Sequence, residues 1–166
     1  MKIFMLLFGV LLLFIFLGSC GAPEHKSPRY VGLAHDITRK TAKKLKKEKG
    51  LMPVGTGGQM MHDIQVMTMS FFLYREASLE EVRELMVYAV EEYLSAINSN
   101  EEVRPYLHEY PFGPKNVEIR LWLCDTDQSD LPEGKIHYVL VSEGVISYYL
   151  PDGNSRKTFL DVATIY

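Results

Sequence analysis

The chain has 166 residues, 47% of them hydrophobic and 23% charged, with a formal net charge of −3. Those proportions exclude a disordered chain, and the length suits one domain once any leader is set aside. Two cysteines are too few for a disulfide-stapled scaffold.

Lys2 and the α-amino group make a short positive start, Ile3 to Leu17 an apolar run, and Gly18 and Ser19 a small-residue site before Cys20. That order predicts a secretory signal peptide over residues 1–19. As a helix the run would be about 22 Å long at roughly 1.5 Å per residue, short against a bilayer core of about 30 Å. Leu17-Gly18-Ser19-Cys20 resembles the bacterial lipobox at all four positions: a branched apolar residue, two small residues, then cysteine. The resemblance implies that Cys20 receives diacylglycerol on sulfur, that the leader is cut before it, and that the new amino group is acylated. The residue types suit this chemistry. A thiolate is a good nucleophile, and small side chains leave the backbone open to a peptidase. Several acyl chains on one residue anchor stably, where a single chain is marginal. Two alternatives stand beside it: an ordinary cleaved leader with an incidental cysteine, and an uncleaved signal anchor. Gly21 is not the aspartate that resembles an inner-membrane retention signal. The expected address is therefore the bacterial cell membrane, periplasm-facing, with the outer membrane favoured.

Residues 20–32 read as the anchor and a flexible tether, with Pro23, Ser27 and Pro28 and no periodicity. Residues 33–50 read as a basic helix. Leu33, Ile37, Thr41 and Leu45 keep a spacing of four, and Gly50 is a natural stop after lysines that suit the negative helix end. Arg39, Lys40, Lys43, Lys44, Lys46, Lys47 and Lys49 stand against one acid, Glu48, whereas residues 51–166 hold eight basic and eighteen acidic residues. A basic arm thus precedes an acidic body.

Within residues 51–166, Leu51 to Gln59 reads as a loop because of Pro53, Gly55, Gly57 and Gly58. Met60 to Tyr74 reads as a central strand, apolar on both faces. Leu79 to Ile97 is a helix with Ser78 as N-cap and Glu81 three residues on, a capping box, and one wide apolar face. Asn98-Ser99-Asn100 ends it before a short helical turn at Glu101 to Arg104. Pro105 to Pro114 is a rigid aromatic loop. Asn116 to Cys124 alternates as a strand, Asp125 to Gly134 is an acidic loop, and Lys135 to Val141, Val145 to Leu150 and Lys157 to Tyr166 are strands. Pro151-Asp152-Gly153-Asn154 signals a turn. The order predicts an α+β domain of two layers, a mainly antiparallel sheet with the long helix across one face, preceded by the basic helix.

Several constellations invite chemistry, and each has a plainer explanation. Gly55-Thr56-Gly57-Gly58 lacks the lysine of a phosphate loop and precedes a strand rather than following one, so a flexible connector is expected. Asp125, Asp127, Asp130 and Glu133 do not fit a calcium loop, whose sixth and twelfth positions are here Asp130 and Ile136, so a solvated hairpin loop is expected. His35-Asp36 and His62-Asp63 are His-Asp pairs of the kind metal phosphohydrolases use, yet no two histidines keep helical ligand spacing. Cys124 with His108 or His137 would make a nucleophile and base; a packed small side chain is the expectation. Tyr106, His108, Tyr110 and Phe112 suit either a binding lip or a cover over the core. The basic helix has candidate partners in an anionic membrane surface and in the acidic face of the Leu79 to Ile97 helix, nucleic acid is not expected for an exported protein, and a plain solvated helix is the simpler explanation.

Thr38-Arg39-Lys40-Thr41-Ala42-Lys43-Lys44-Leu45, the Gly55 to Met61 loop and Arg104-Pro105-Tyr106-Leu107-His108 resemble small lipoproteins of chlamydia-like intracellular bacteria over most of residues 38–124. That resemblance implies no activity. The expectation is a lipid-anchored envelope protein whose domain binds or scaffolds another component, without catalytic residue, metal or cofactor. The alternative is a small lipid-anchored hydrolase using Cys124 or a His-Asp pair.

Overall fold

A computed structural model describes residues 27–151 and 157–164, the strand at 157–164 as backbone only. The leader, Cys20, most of the tether and the turn expected at Pro151 to Asn154 lie outside the described residues or at their edge. The chain is α+β: helix α1 (Arg29–Lys49), strands β1 (Met52–Gln59) and β2 (Val66–Leu73), helix α2 (Leu79–Asn98), then strands β3 (Val117–Leu123), β4 (Tyr138–Ser142), β5 (Val145–Pro151) and β6 (Lys157–Thr164). The six strands form one sheet in sequence order. Four neighbouring pairs are antiparallel, and β2 and β3 are parallel, joined by α2. A parallel pair needs a long crossover, and the helix between β2 and β3 supplies it.

Several boundaries depart from the sequence expectation: β4 begins at Tyr138 rather than Lys135, the helical turn expected at Glu101 to Arg104 lies at Arg104–Tyr106, and three larger differences follow. The first helix begins at Arg29, so residues 29–32 belong to it and not to the tether. Met52 to Gln59 is a strand, not a loop: its backbone pairs with β2 from Met52↔Phe72 to Gln59↔Val66, with a bulge between Pro53 and Gly55. Proline and glycine disfavour strands, but an edge position beside a bulge tolerates both. Gly58 sits where a Cβ would lie 2.2 Å from the Val66 carbonyl oxygen, so only glycine fits. Correspondingly, the strand expected from Met60 starts only at Val66. Residues before it are drawn into a loop, where Tyr30 Oη donates to the Met60 and Met61 carbonyls and Ile64 N donates to Tyr106 O at 2.8 Å.

The strand alternation read in β3 holds. Val117, Ile119, Leu121 and Leu123 are fully buried, in register with Met67, Met69, Phe71 and Leu73 of β2. Burial of this kind stabilises by roughly 25 cal/mol per Å² of apolar surface. Helix α2 buries Val82, Met86, Ala89, Val90, Tyr93 and Ile97, and α1 buries Ala34, Ile37 and Leu45, all in the same core cluster. The helices run antiparallel side by side: Arg29 pairs with Glu102, Thr38 with Tyr93, and Glu48 accepts from Tyr88. Gly50 ends α1 in the left-handed conformation at φ 71°, its N–H donating to Lys46 O, as the sequence led one to expect. No helix among the described residues is long and apolar enough to cross a membrane.

Candidate binding face

Alternation along the strands sends every second side chain to the sheet face away from the core. On that face Phe72, Trp122, Tyr138 and Tyr149 are register partners across β2, β3, β4 and β5. Their ring centroids are 5.9, 5.2 and 5.6 Å apart in turn, with tilts of 58°, 41° and 39°. Neighbouring strands lie about 4.8 Å apart, so in-register aromatics must touch, and tilted pairs contribute about 0.5–1.5 kcal/mol beyond their area. Tyr74 extends the row, 5.8 Å from Phe72. Phe72, Trp122 and Tyr149 are half-buried, while Tyr138 in the middle is buried and its phenol is pushed up by that burial. The backbone register carries the row on to Phe159 of β6.

Two residues along the same strands the face turns polar. Thr68, Ser70, Glu118 and Arg120 line a trough of about 360 Å³ against β1. It is open because Gly55 and Gly57, opposite Ser70 and Thr68, carry no side chains. Arg120 Nη2 lies 2.5 Å from Glu118 Oε1. An aromatic row beside hydroxyls and an ion pair offers apolar area and oriented polar groups together, the usual make-up of a ligand surface.

The residues singled out from sequence are mostly engaged elsewhere. Asp63 meets not His62 but His108, whose Nδ1 lies 2.7 Å from Asp63 Oδ2. That hydrogen bond holds the Asp63 carboxyl below the usual carboxylate range. His35 and Asp36 lie on α1, where Asp36 accepts from Arg39 at 2.7 Å. Cys124 is buried, and burial together with Asp125, Asp130 and Asp127 pushes its thiol up, the reverse of an activated nucleophile. In the acidic loop Asp125 Oδ1 accepts from Thr126 N and Asp127 Oδ1 from Ser129 N, so these carboxylates shape the turn. Among the described residues no three His, Cys, Asp or Glu side chains are placed to hold a metal ion. The aromatic loop is pinned down: Phe112 is buried, its backbone bonded both ways to the Asn98 amide, and Tyr106 packs 5.6 Å from Tyr30. Tyr110 remains exposed beneath the Arg104 guanidinium.

Helix α1 divides its charge. Lys44 reaches Glu92 of α2 at 2.5 Å, and Lys49 lies 4.4 Å over the Tyr88 ring. Lys40, Lys43, Lys46 and Lys47 are exposed and, among the described residues, have no ion-pair partner. Sequence inspection missed the aromatic row because its members lie in four separate strands. Only the strand register unites them. No family model, curated protein or solved structure matches the chain.

Proposed function

We propose that the chain is a bacterial lipoprotein, cut before Cys20 and lipidated there, whose two-layer α+β domain is a non-catalytic binding module in the cell envelope. The row Phe72–Trp122–Tyr138–Tyr149 carries the binding half of this reading. It sets four large rings in contact on the face turned away from the core, three of them half-buried. The lipobox residues Leu17 to Cys20 carry the anchoring half. The basic helix turns toward the anionic leaflet that holds the anchor, and the aromatic face meets an envelope protein. A lipid-anchored hydrolase has less support. It needs a thiolate that the buried Cys124 disfavours, or a base and nucleophile together, where Asp63 and His108 bond chiefly to each other.

The binding half is tested in cells by photo-crosslinking. A benzoyl-phenylalanine replacing Phe72 is expected to give a discrete adduct that Trp122→Ala abolishes, while the same probe at the exposed Glu84 gives none. Equal yields from both positions, or none from Phe72, overturn the assignment.

A further inference from the structure

Between α1 and β1 lies a cleft of about 440 Å³. His35, Arg39 and Lys43 stand along its helical wall. They are four residues apart, so they form one stripe rather than a scattered patch. Ala42, Pro53 and Thr56 close the cleft below, and the aliphatic stems of Arg39 and Lys43 add apolar wall beneath their charged ends. One acid, Asp36, bonds Arg39, but both are more than half exposed and such pairs are worth little in water. The neighbouring Lys40, Lys46 and Lys47 are exposed too. The cleft therefore joins a cationic rim to an apolar floor.

A free inorganic anion uses the rim and leaves the floor unused. A phospholipid uses both: a phosphate for the cations, and glycerol and acyl carbons for the floor. The chain itself brings such molecules near. From Cys20 to Arg29 the link is nine residues, at most about 30 Å when extended at roughly 3.3–3.6 Å per residue, about the length of α1 itself at roughly 1.5 Å per residue. We propose that the α1–β1 cleft takes the phosphate headgroup of an anionic phospholipid, laying the α1 edge of the domain on the membrane. This rests on the lipid anchor at Cys20 proposed above. The exposed Glu80 and Glu84 of α2 are repelled by the same leaflet, so the domain tips onto α1 and β1. The aromatic face then looks away from the bilayer.

The test uses the mature protein from membranes, its intact mass read first, bound to vesicles of phosphatidylcholine alone or of phosphatidylcholine with phosphatidylglycerol. Amine acetylation of Lys43 is expected to slow about fivefold on the anionic vesicles, the effect of roughly one basic residue's attraction to a charged leaflet. Lys115 should not change. The exposed-site double variant R39E/K43E, its fold checked by circular dichroism, should bring Lys40 and Lys46 to equal labelling on both vesicle types. Equal labelling of wild-type Lys43 on the two vesicles overturns the cleft. So does protection by inorganic phosphate alone, without lipid, which assigns the rim to a free anion. The mass separates the two claims. Lipidated Cys20 with no headgroup dependence leaves the anchor standing and removes the cleft. Unmodified Cys20 with the dependence intact does the reverse.

Discussion

Thr38 and Tyr93 meet in the buried seam between the helices, their oxygens 2.6 Å apart. Thr38 Oγ1 already donates its one hydrogen to Ala34 O at 2.8 Å, so Tyr93 donates to Thr38. Burial holds the Tyr93 phenol well above its usual range, with the Thr38 bond pulling the other way. The two partners are therefore unequal. Tyr93→Phe removes a donor and leaves Thr38 bonded to Ala34, costing about 1 kcal/mol. Thr38→Val keeps the shape but strands the buried Tyr93 hydroxyl, costing about 1–3 kcal/mol. Urea denaturation midpoints are expected to fall further for Thr38→Val than for Tyr93→Phe. A second pairing responds to acid. The Asp63 carboxyl is depressed in the fold by His108. Its contribution to stability is therefore present above the unfolded value near 3.8 and lost as pH falls through the folded one. Wild type is expected to exceed Asp63→Asn in denaturation midpoint at about pH 5, within the range where free carboxylates are ionised, and the gap to narrow progressively as pH falls below 3.8.

At the scale of elements, α2 was the most legible. Ser78 Oγ accepts from Glu81 N at 3.2 Å, the cap its sequence announces. The reciprocal half of the expected box is replaced: Glu81 reaches Arg75 at 2.6 Å, which holds its carboxyl below the usual range. Ser78→Ala is expected to cost about 1 kcal/mol, read as a lower thermal or urea midpoint, and Ser78→Asp to restore most of it. Strand β1 was illegible for a physical reason. Met-Pro-Val-Gly-Thr-Gly-Gly-Gln has the composition of a turn, and only pairing with β2 makes it a strand. The parallel β2–β3 pair was hidden likewise, because alternation gives each strand its faces but not its neighbours. The candidate face depends on that pairing. Trp122 was visible as the outward residue of an alternating strand, yet nothing local tied it to Phe72, Tyr138 or Tyr149. The division of charge on α1 was half legible: the lysine run was plain, but not that Lys44 turns to Glu92 while Lys43 borders β1.

For the molecule as a whole, the sheet separates two surfaces. On its core side both helices bury apolar residues, and α1 presents its cations at the β1 edge. On its other side lie the aromatic row and the polar trough. The function proposed above, a chain tied to a bilayer at its amino end and binding a partner above it, uses two such distinct surfaces. Its anchoring half rests on one sulfur atom, that of Cys20. The intact mass of the mature protein, taken from the membranes of cells that make it, tests this directly. The expected mass is that of a chain beginning at Cys20 with a diacylglycerol on sulfur and an acyl group on the new amine. A mass with residue 20 unmodified, or with residues 1–19 still attached, contradicts it.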